Sequence, residues 1–292
     1  MNHLPRALAV ATLIACLCTA AVVSQQHAPK RTPDVIFVPT PQEVVDVMLQ
    51  MAQVDKNDVV YDLGCGDGRL VITAAKKFGA RGVGIDIDPQ RIQESTDNAR
   101  NAGVTDKVKF LEADLFETDI SPATVVTLYL LPELNRRLQP KLLASLKPGT
   151  PIVSHDFDMG DWKPDEQREV TGPSRTHKVY LWHVPAKAAG VWRWKQGGTD
   201  YALRLRQEHQ RIDGKITIGS RELYIHEARL SGDKLSFRVE PHPEVDLMTF
   251  AGRINGDRIT GTWTRQDRSR STLAWKAERA GAVSALLGQP KH

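Results

Sequence analysis

Cysteine is scarce in this chain of 292 residues, which has only three. Cys16 and Cys18 lie in an apolar N-terminal stretch, so a processed chain would retain only Cys65. A single cysteine excludes an internal disulfide, and the nine histidines form no ligand-spaced cluster with cysteines or acidic residues. The sequence therefore predicts neither a disulfide framework nor a metal site.

Neither sign of charge dominates the composition. The chain carries 39 lysines and arginines against 35 acidic residues, a net charge of +4, and aromatic residues make up only 6% of it. The basic surplus lies in residues 187–292, where no basic cluster is interleaved with aromatic residues, so no nucleic-acid partner is expected. With 41% hydrophobic and 25% charged residues, the composition indicates one or two globular domains rather than a disordered chain.

A long uncharged apolar run occurs at the N-terminus. Residues 7–23 follow Arg6 and precede a polar stretch. This pattern predicts a signal peptide or membrane anchor over residues 1–24, and hence an exported or membrane-anchored protein of a bacterial envelope, on a side of the membrane that the flanking charges leave open. Residues 13–16 resemble a lipoprotein cleavage box, so cleavage, lipidation at Cys16 and retention of the segment are three open outcomes.

A glycine-rich turn follows an apolar strand in residues 58–68 and opens a predicted helix. Gly64, Gly66 and Gly68 let the backbone approach a ligand closely and adopt positive φ values at little cost. Dinucleotide folds usually read G-x-G-x-x-G and have an apolar residue at the position that Asp62 occupies here. This departure favours S-adenosylmethionine over NAD as the ligand.

Two further strand ends contribute acidic residues. Asp86 ends the predicted strand 81–86, at about the distance past the turn where a carboxylate meets ribose hydroxyls. Asp114 follows the predicted strand 108–112, where it can receive the adenine amino group. Cys65 is interpreted as a small residue facing the site, and Asp67 either caps the helix or contacts the ligand. The predicted cofactor site comprises Thr40, Asp62, Gly64, Cys65, Gly66, Asp67, Gly68, Asp86, Ile87, Asp114 and Leu115.

These motifs resemble those of class I S-adenosylmethionine-dependent methyltransferases, with matches at residues 62–68, 84–86 and 112–115. A closer resemblance is to the ATP-synthase c-subunit lysine methyltransferase family and its bacterial relatives. It is carried by the following segments: Phe-Val-Pro-Thr-Pro at 37–41, Asp-Gly-Arg-Leu-Val-Ile at 67–72, and Ile-Val-Ser at 152–154 followed by Trp162. No Asn-Pro-Pro-Tyr motif follows the fourth strand, which argues against the branches that modify amides and adenine.

The resemblance implies an α/β Rossmann-like domain with a mostly parallel sheet, S-adenosylmethionine as the cofactor and a protein lysine as the acceptor. In relatives the segment before the first strand covers the cofactor. Here Thr40 is predicted to cap the helix that follows, with Pro41 in the first turn and Glu43 reaching back to form a capping box.

A lysine acceptor must lose a proton, because its ammonium form has no lone pair and its unperturbed pKa is about 10.4. Tyr129 and Asp156 are the candidates for lining the transfer channel or steering the cation into it. His155 and Asp156 follow the predicted fifth strand and are interpreted as an ordinary loop, with an acid–base role as the alternative. The sequence identifies no general base.

The domain organisation is predicted from changes of composition and period. A linker at residues 25–33 precedes a methyltransferase domain at 34–186, a small antiparallel β domain at 187–284 and a tail at 285–292. The β domain is expected to form a barrel or sandwich of seven or eight strands. Three glycine-centred near-repeats at 211–216, 229–235 and 253–259 predict hairpin turns, and four tryptophans form either its core or a ligand-binding mouth: Trp192, Trp194, Trp263 and Trp275.

Three functions remain open. The first is transfer of a methyl group from S-adenosylmethionine to a protein lysine. The second is methylation of a small molecule or lipid. The third is a non-catalytic S-adenosylmethionine-binding protein whose β domain holds a partner. Association with a membrane through the N-terminal segment is a further expectation if that segment is retained or lipidated, and the sequence does not define the oligomeric state.

Overall fold

The computed structural model describes residues 32–242, 246–266 and 271–281. Its first sheet has seven strands in the order β3-β2-β1-β4-β5-β7-β6, and only β7 and its edge partner β6 pair antiparallel. The central strands β1 and β4 are buried almost throughout because helices cover both faces of the parallel part. The strands of this sheet are β1 Val59–Leu63, β2 Arg81–Asp86, β3 Val108–Glu112, β4 Val125–Leu128, β5 Pro151–His155, β6 Glu166–Thr171 and β7 Thr176–His183.

In the described part of the chain, four helices accompany this sheet: α1 Gln42–Met51, α2 Arg69–Thr73, which continues as a π-helical turn over Ala74–Phe78, α3 Pro89–Ala102, and α4 Pro132–Ser145. Local sequence defines the ends of α3. The Asp88 side chain accepts a hydrogen bond from Gln90 N, Pro89 occupies the first turn, and Gly103 ends the helix in a left-handed conformation. Strand β6 was not predicted, because its polar, mostly exposed residues carry no apolar alternation.

The second sheet has nine antiparallel strands that follow one another around a nearly closed barrel. Strand β16 pairs with β8, and β11 and β12 are the two edge strands between which the sheet does not close. Ile225, between these two strands, donates its backbone N–H to Gly214 O of β10. The barrel strands are β8 Gly190–Gln196, β9 Thr199–Glu208, β10 Arg211–Ile218, β11 Arg221–Tyr224, β12 His226–Ser231, β13 Lys234–His242, β14 Asp246–Asn255, β15 Arg258–Gln266 and β16 Thr272–Arg279. The predicted fold class, an α/β domain followed by a small all-β domain, is confirmed.

Two details of the barrel differ from the sequence-based expectation. Nine strands form among the described residues instead of seven or eight, and only two of the three glycine repeats are turns, at Gly232 and Gly256. Gly214 lies inside β10 opposite Leu205, and a Cβ atom there would lie 2.0 Å from the Arg204 carbonyl oxygen. This glycine therefore permits close strand pairing. The four tryptophans are all buried in the barrel core.

The two sheets are in direct contact. The His209 ring stacks on Trp162 with centroids 5.7 Å apart, and His209 Nε2 lies 2.7 Å from Gln139 Nε2 on α4. Ala186 N donates to Gly232 O at the start of the barrel. The predicted domain limits at residues 34–186 and 187–284 stay predictions.

The prediction of an exported or membrane-anchored protein is wrong on the present findings. Within the described part of the chain, no helix is long and apolar enough to cross a membrane. The longest, α3 and α4, have 14 residues each, whereas a transmembrane helix needs about 20 mostly apolar residues. The stretch 7–23 and Cys16, on which that prediction rested, lie outside the described residues, as do most of the linker and the tail at 285–292.

Candidate cofactor site

The glycine turn after β1 forms the floor of a pocket at the carboxyl end of the parallel strands. Gly64, Gly66 and Gly68 have φ values of 83°, 52° and 79°, a region that favours glycine. Gly64 N and Cys65 N both donate to Ile85 O at the end of β2, at 2.8 and 3.0 Å. The turn is thereby fixed to the neighbouring strand, with its backbone open to a ligand.

Asp86 joins the end of β2 to this turn. Its Oδ2 accepts a hydrogen bond of 2.9 Å from Gly66 N, and its Oδ1 accepts one of 3.0 Å from Asp88 N. Two backbone donors therefore orient a carboxylate that lines the pocket. A carboxylate has further lone pairs, so it can also accept hydrogen bonds from a ligand diol.

Asp62, at the end of β1, is almost completely buried in the pocket wall. Burial raises the pKa of its carboxyl group to about 7, and the nearby Asp86 and Asp67 carboxylates act in the same direction. A hydrogen bond of 2.7 Å from Thr127 Oγ1 opposes this shift. Burial also raises the pKa of the Cys65 thiol well above its ordinary value, which argues against thiolate chemistry.

The third strand end completes the pocket. Asp114 follows β3, and its Oδ1 accepts a hydrogen bond of 2.8 Å from Phe116 N. Most of the predicted site residues line the pocket, namely Thr40, Asp62, Gly64, Cys65, Asp67, Asp86, Ile87, Asp114, Leu115 and Tyr129. Gly66, Gly68 and Asp156 are not among the lining residues, although Gly66 and Gly68 shape the turn beneath it.

An N-terminal segment covers one side of the pocket, and most of its residues were not predicted as site residues. The Phe37 ring packs on Gly66, where a Cβ atom would lie 2.2 Å from Phe37 Cε2. Arg91 of α3 lies over the same ring, 5.0 Å from its centroid. Arg69 donates to Thr40 O at 2.6 Å and forms an ion pair with Asp67. The motif Phe-Val-Pro-Thr-Pro was the one available signal for this cover.

Thr40 does not cap α1 as predicted. The N-terminal flank of the helix is Pro41, no side chain caps it, and Thr40 Oγ1 lies 3.1 Å from His155 Nδ1. His155 is fully buried, and the ring of Tyr129 lies 3.9 Å from it between centroids. A tertiary contact has therefore replaced the local capping box.

Asp156 lies behind this wall. Its Oδ1 accepts a hydrogen bond from Lys178 N, and its Oδ2 contacts Arg175 and both His155 and His177. Contrary to the expectation that histidines and acids form no ligand-spaced cluster, the fold groups His155, Asp156 and His177. A sequence separation of 22 residues between the two histidines concealed this grouping.

Two comparisons with known proteins bear on the family. A family model described as the ANTKMT methyltransferase domain matches residues 62–166. A protein-lysine N-methyltransferase of Saccharolobus islandicus is 48% identical over 153 residues, which are 52% of this chain and 95% of that protein. The chain belongs to the ANTKMT methyltransferase family. This membership confirms the predicted resemblance and makes the protein an S-adenosylmethionine-dependent methyltransferase with S-adenosylmethionine as its cofactor.

Two further proteins are similar to this methyltransferase over about half of its chain. The human lysine N-methyltransferase of the ATP synthase c-subunit is 32% identical over 136 residues, 47% of this chain and 56% of that protein. A solved structure described as an RNA methyltransferase from Salinibacter ruber, in complex with S-adenosyl-L-homocysteine, is 58% identical. That alignment covers 51% of this chain and 95% of the solved chain, with a TM-score of 0.48.

Proposed function

We propose that this methyltransferase transfers the methyl group to the side-chain amine of a lysine in a protein. The charge of the pocket wall carries this proposal. Among the described residues, its ionisable lining consists of six acidic residues and two arginines: Asp34, Asp62, Asp67, Asp86, Asp88, Asp114, Arg69 and Arg91. Asp62, with its pKa raised by burial to about 7, is only partly ionised at neutral pH. Arg69 pairs with Asp67, and Arg91 pairs with Glu94 and, at 3.9 Å, with Asp88. A wall of this composition attracts a cationic acceptor and repels a phosphate-rich one.

The three strand ends fit the parts of the cofactor. Asp86 would accept hydrogen bonds from the ribose hydroxyls, and Asp114 would receive the adenine amino group. Asp62 and the backbone at Gly64 would face the positively charged amino-acid part. The cofactor supplies an activated methyl group, so the chain mainly has to align the acceptor nitrogen with it and exclude water.

The acceptor amine must arrive as an ammonium ion and release a proton to solvent before it can react. Apolar residues of the wall, Leu130 and Leu134 with the ring of Tyr129, disfavour the charged form and lower the pKa of an amine beside them, in opposition to the carboxylates, which raise it. The neutral nitrogen then attacks the methyl carbon, while the bonding pair of the carbon–sulfur bond remains on sulfur. We assign Tyr129 to this wall. Burial raises the pKa of its own hydroxyl, so it stays neutral near pH 7.

The relatives support a protein acceptor. The Saccharolobus islandicus protein is named a protein-lysine N-methyltransferase, and its alignment covers nearly its full length. Transfer to a small molecule or lipid, and cofactor binding without transfer, are the alternatives that the experiment has to separate.

The experiment is incubation of the full-length protein and S-adenosylmethionine, labelled in its methyl group, with a cell extract. We expect label in protein, located on lysine Nζ by mass spectrometry, and loss of the label when the extract's lysines are acetylated beforehand. The Asp86→Ala variant should lose activity, whereas the exposed Asp106→Ala control should keep it. Label only in lipid, in nucleic acid or in small molecules, or no label although the cofactor binds, would contradict the proposal.

A further inference from the structure

Three side chains converge behind the pocket wall. His155 ends β5, Asp156 follows it, and His177 lies on β7. The Nε2 atom of His155 lies 2.8 Å from His177 Nδ1 and 3.2 Å from Asp156 Oδ2, and His177 Nδ1 lies 3.4 Å from the same oxygen. Their side chains are 0%, 11% and 5% exposed. Two nitrogens and one oxygen therefore form a small buried triangle.

Hydrogen bonds between neutral imidazoles cannot satisfy all three edges of this triangle. If only one of the two nitrogens carries a proton and points it at the other, the accepting nitrogen has its lone pair near the Asp156 carboxylate, whichever histidine accepts. If both nitrogens carry protons, two N–H groups face each other across the shortest edge. One edge is repulsive in either arrangement. A single cation bound by all three atoms makes every contact favourable.

The dimensions of the triangle suit such a cation. Bonds of about 2.0–2.2 Å, meeting at tetrahedral or octahedral angles, place neighbouring ligand atoms about 2.8–3.5 Å apart. The three observed separations, 2.8, 3.2 and 3.4 Å, fall in that range. Two imidazoles and one carboxylate are ligands that divalent zinc, cobalt and iron accept.

We propose that His155, Asp156 and His177 form a binding site for a divalent transition-metal ion, separate from the cofactor pocket. Two of the three ligands have outer contacts that agree with this role, whereas His177 Nε2 is buried without a hydrogen-bond partner among the described residues. His155 Nδ1 lies 3.1 Å from Thr40 Oγ1, and Asp156 Oδ1 accepts a hydrogen bond of 3.0 Å from Lys178 N. Such contacts fix the orientation of metal ligands.

The backbone at Asp156 is unusual. Its φ of 60° is a left-handed conformation that costs free energy in a residue with a side chain, and the fold maintains it. The turned backbone brings the carboxylate to β7, since Asp156 N donates to Lys178 O and the side chain accepts from Lys178 N. The strain therefore serves to place the third ligand beside the two histidines.

Arg175 is the competitor for the same carboxylate. Its guanidinium contacts Asp156 Oδ2, and its side chain is 51% exposed, so it can turn into solvent when a cation binds. Metal and arginine are alternative partners of one oxygen. A bound ion would also steady two residues of the cofactor pocket, because the rings of Tyr129 and His155 are 3.9 Å apart and Thr40 contacts His155.

The test is titration of the full-length protein with Co²⁺, followed by visible absorption, and with Zn²⁺ by calorimetry. We expect one ion per chain, bound at least 100-fold more weakly by Asp156→Asn and by His177→Gln. Arg175→Gln should bind several-fold more tightly. His183→Gln is the matched control, because His183 lies on the same strand and pairs with the Asp165 carboxylate at 3.1 Å, without a second histidine. It should bind like the wild type.

Calorimetric titration of S-adenosylmethionine into each variant reports whether the variant is folded. If His177→Gln does not fold, the metal affinity of Asp156→Asn alone decides the test. Equal metal affinity in the wild type, Asp156→Asn and His177→Gln would place the ion elsewhere and overturn the proposal. Absence of binding to both the wild type and Arg175→Gln would also overturn it, and would identify the triangle as a hydrogen-bonded cluster. Neither outcome depends on the identity of the methyl acceptor.

Discussion

Asp62 and Thr127 are joined by a buried hydrogen bond across two neighbouring parallel strands. They are register partners on β1 and β4, and Thr127 Oγ1 donates to Asp62 Oδ1 over 2.7 Å. Burial nevertheless raises the pKa of the Asp62 carboxyl group to about 7. The cofactor pocket therefore contains a carboxyl group that titrates near neutrality.

The first prediction concerns the free energy of unfolding without cofactor. Asp62 ionises near pH 4 in the unfolded chain but only near pH 7 in the folded one, so the folded state holds the extra proton between these values. The contribution of Asp62 to stability should fall as pH rises through this window, by up to about 1.4 kcal/mol per pH unit, and then level off. Burial lowers the pKa of His155 to about 4, which adds a slope of opposite sign below about pH 6.5, so the Asp62 slope is measured as the difference between the wild type and Asp62→Asn. Asp62→Asn should remove this slope in urea unfolding, whereas the exposed Asp106→Asn should keep it. An unchanged slope in Asp62→Asn would contradict the assignment.

Cofactor binding should release protons near pH 7. The cofactor carries a sulfonium and an ammonium group, and positive charge beside Asp62 favours its ionised form. Calorimetry in two buffers of different ionisation enthalpy should show release of a fraction of one proton per cofactor bound. S-adenosylhomocysteine, which lacks the sulfonium charge, should release less. The same release in Asp62→Asn as in the wild type would argue against Asp62 as its source.

A methyl group at Gly66 should weaken cofactor binding and stability together. Gly66 and Gly103 both have positive φ, but a Cβ atom at Gly66 would meet the Phe37 ring at 2.2 Å, whereas Gly103 has no atom within 4 Å of that point. Gly103→Ala should lower the free energy of unfolding by about 1–2 kcal/mol through the strain of its backbone alone. Gly66→Ala should lower the free energy of unfolding by more than Gly103→Ala does. Adding Phe37→Ala to the Gly66→Ala variant should recover the difference between these two losses. Failure of this rescue would show that the clash with Phe37 is not the cause.

Removal of the Asp86 side chain should lower the affinity for S-adenosylmethionine. The Asp86 carboxylate accepts hydrogen bonds from Gly66 N and Asp88 N, and we propose that it also accepts them from the ribose hydroxyls. Loss of a hydrogen bond to a charged group costs about 1.5–3 kcal/mol, which corresponds to roughly 10- to 150-fold in the dissociation constant. Calorimetric titration of Asp86→Ala measures this change. Asp97→Ala on the exposed face of α3 should bind as the wild type does, and equal binding by both variants would remove Asp86 from the site.

Local patterns in the sequence were sufficient to predict, in outline, the pocket at the carboxyl ends of the parallel strands. The glycine turn and the acids at the ends of β1, β2 and β3 were predicted because parallel strands bring their carboxyl ends to one edge of a sheet, whatever the loops do. Alternating apolar residues predicted the second sheet, although Gly214 was interpreted as a turn residue. A glycine between alternating residues looks alike in a turn and in a strand, and only the pairing with Arg204 and Leu205 distinguishes the two.

The sequence by itself determined the fold class, the cofactor and the acids that line the pocket, since each depends on residues close together in the chain. The tertiary structure alone decided which distant side chains meet. Thr40 satisfies a capping pattern locally but contacts His155, 115 residues away, and His177 joins His155 and Asp156 because β7 pairs with β5. Such contacts depend on strand order and packing across the sheet, which no local pattern of residues encodes.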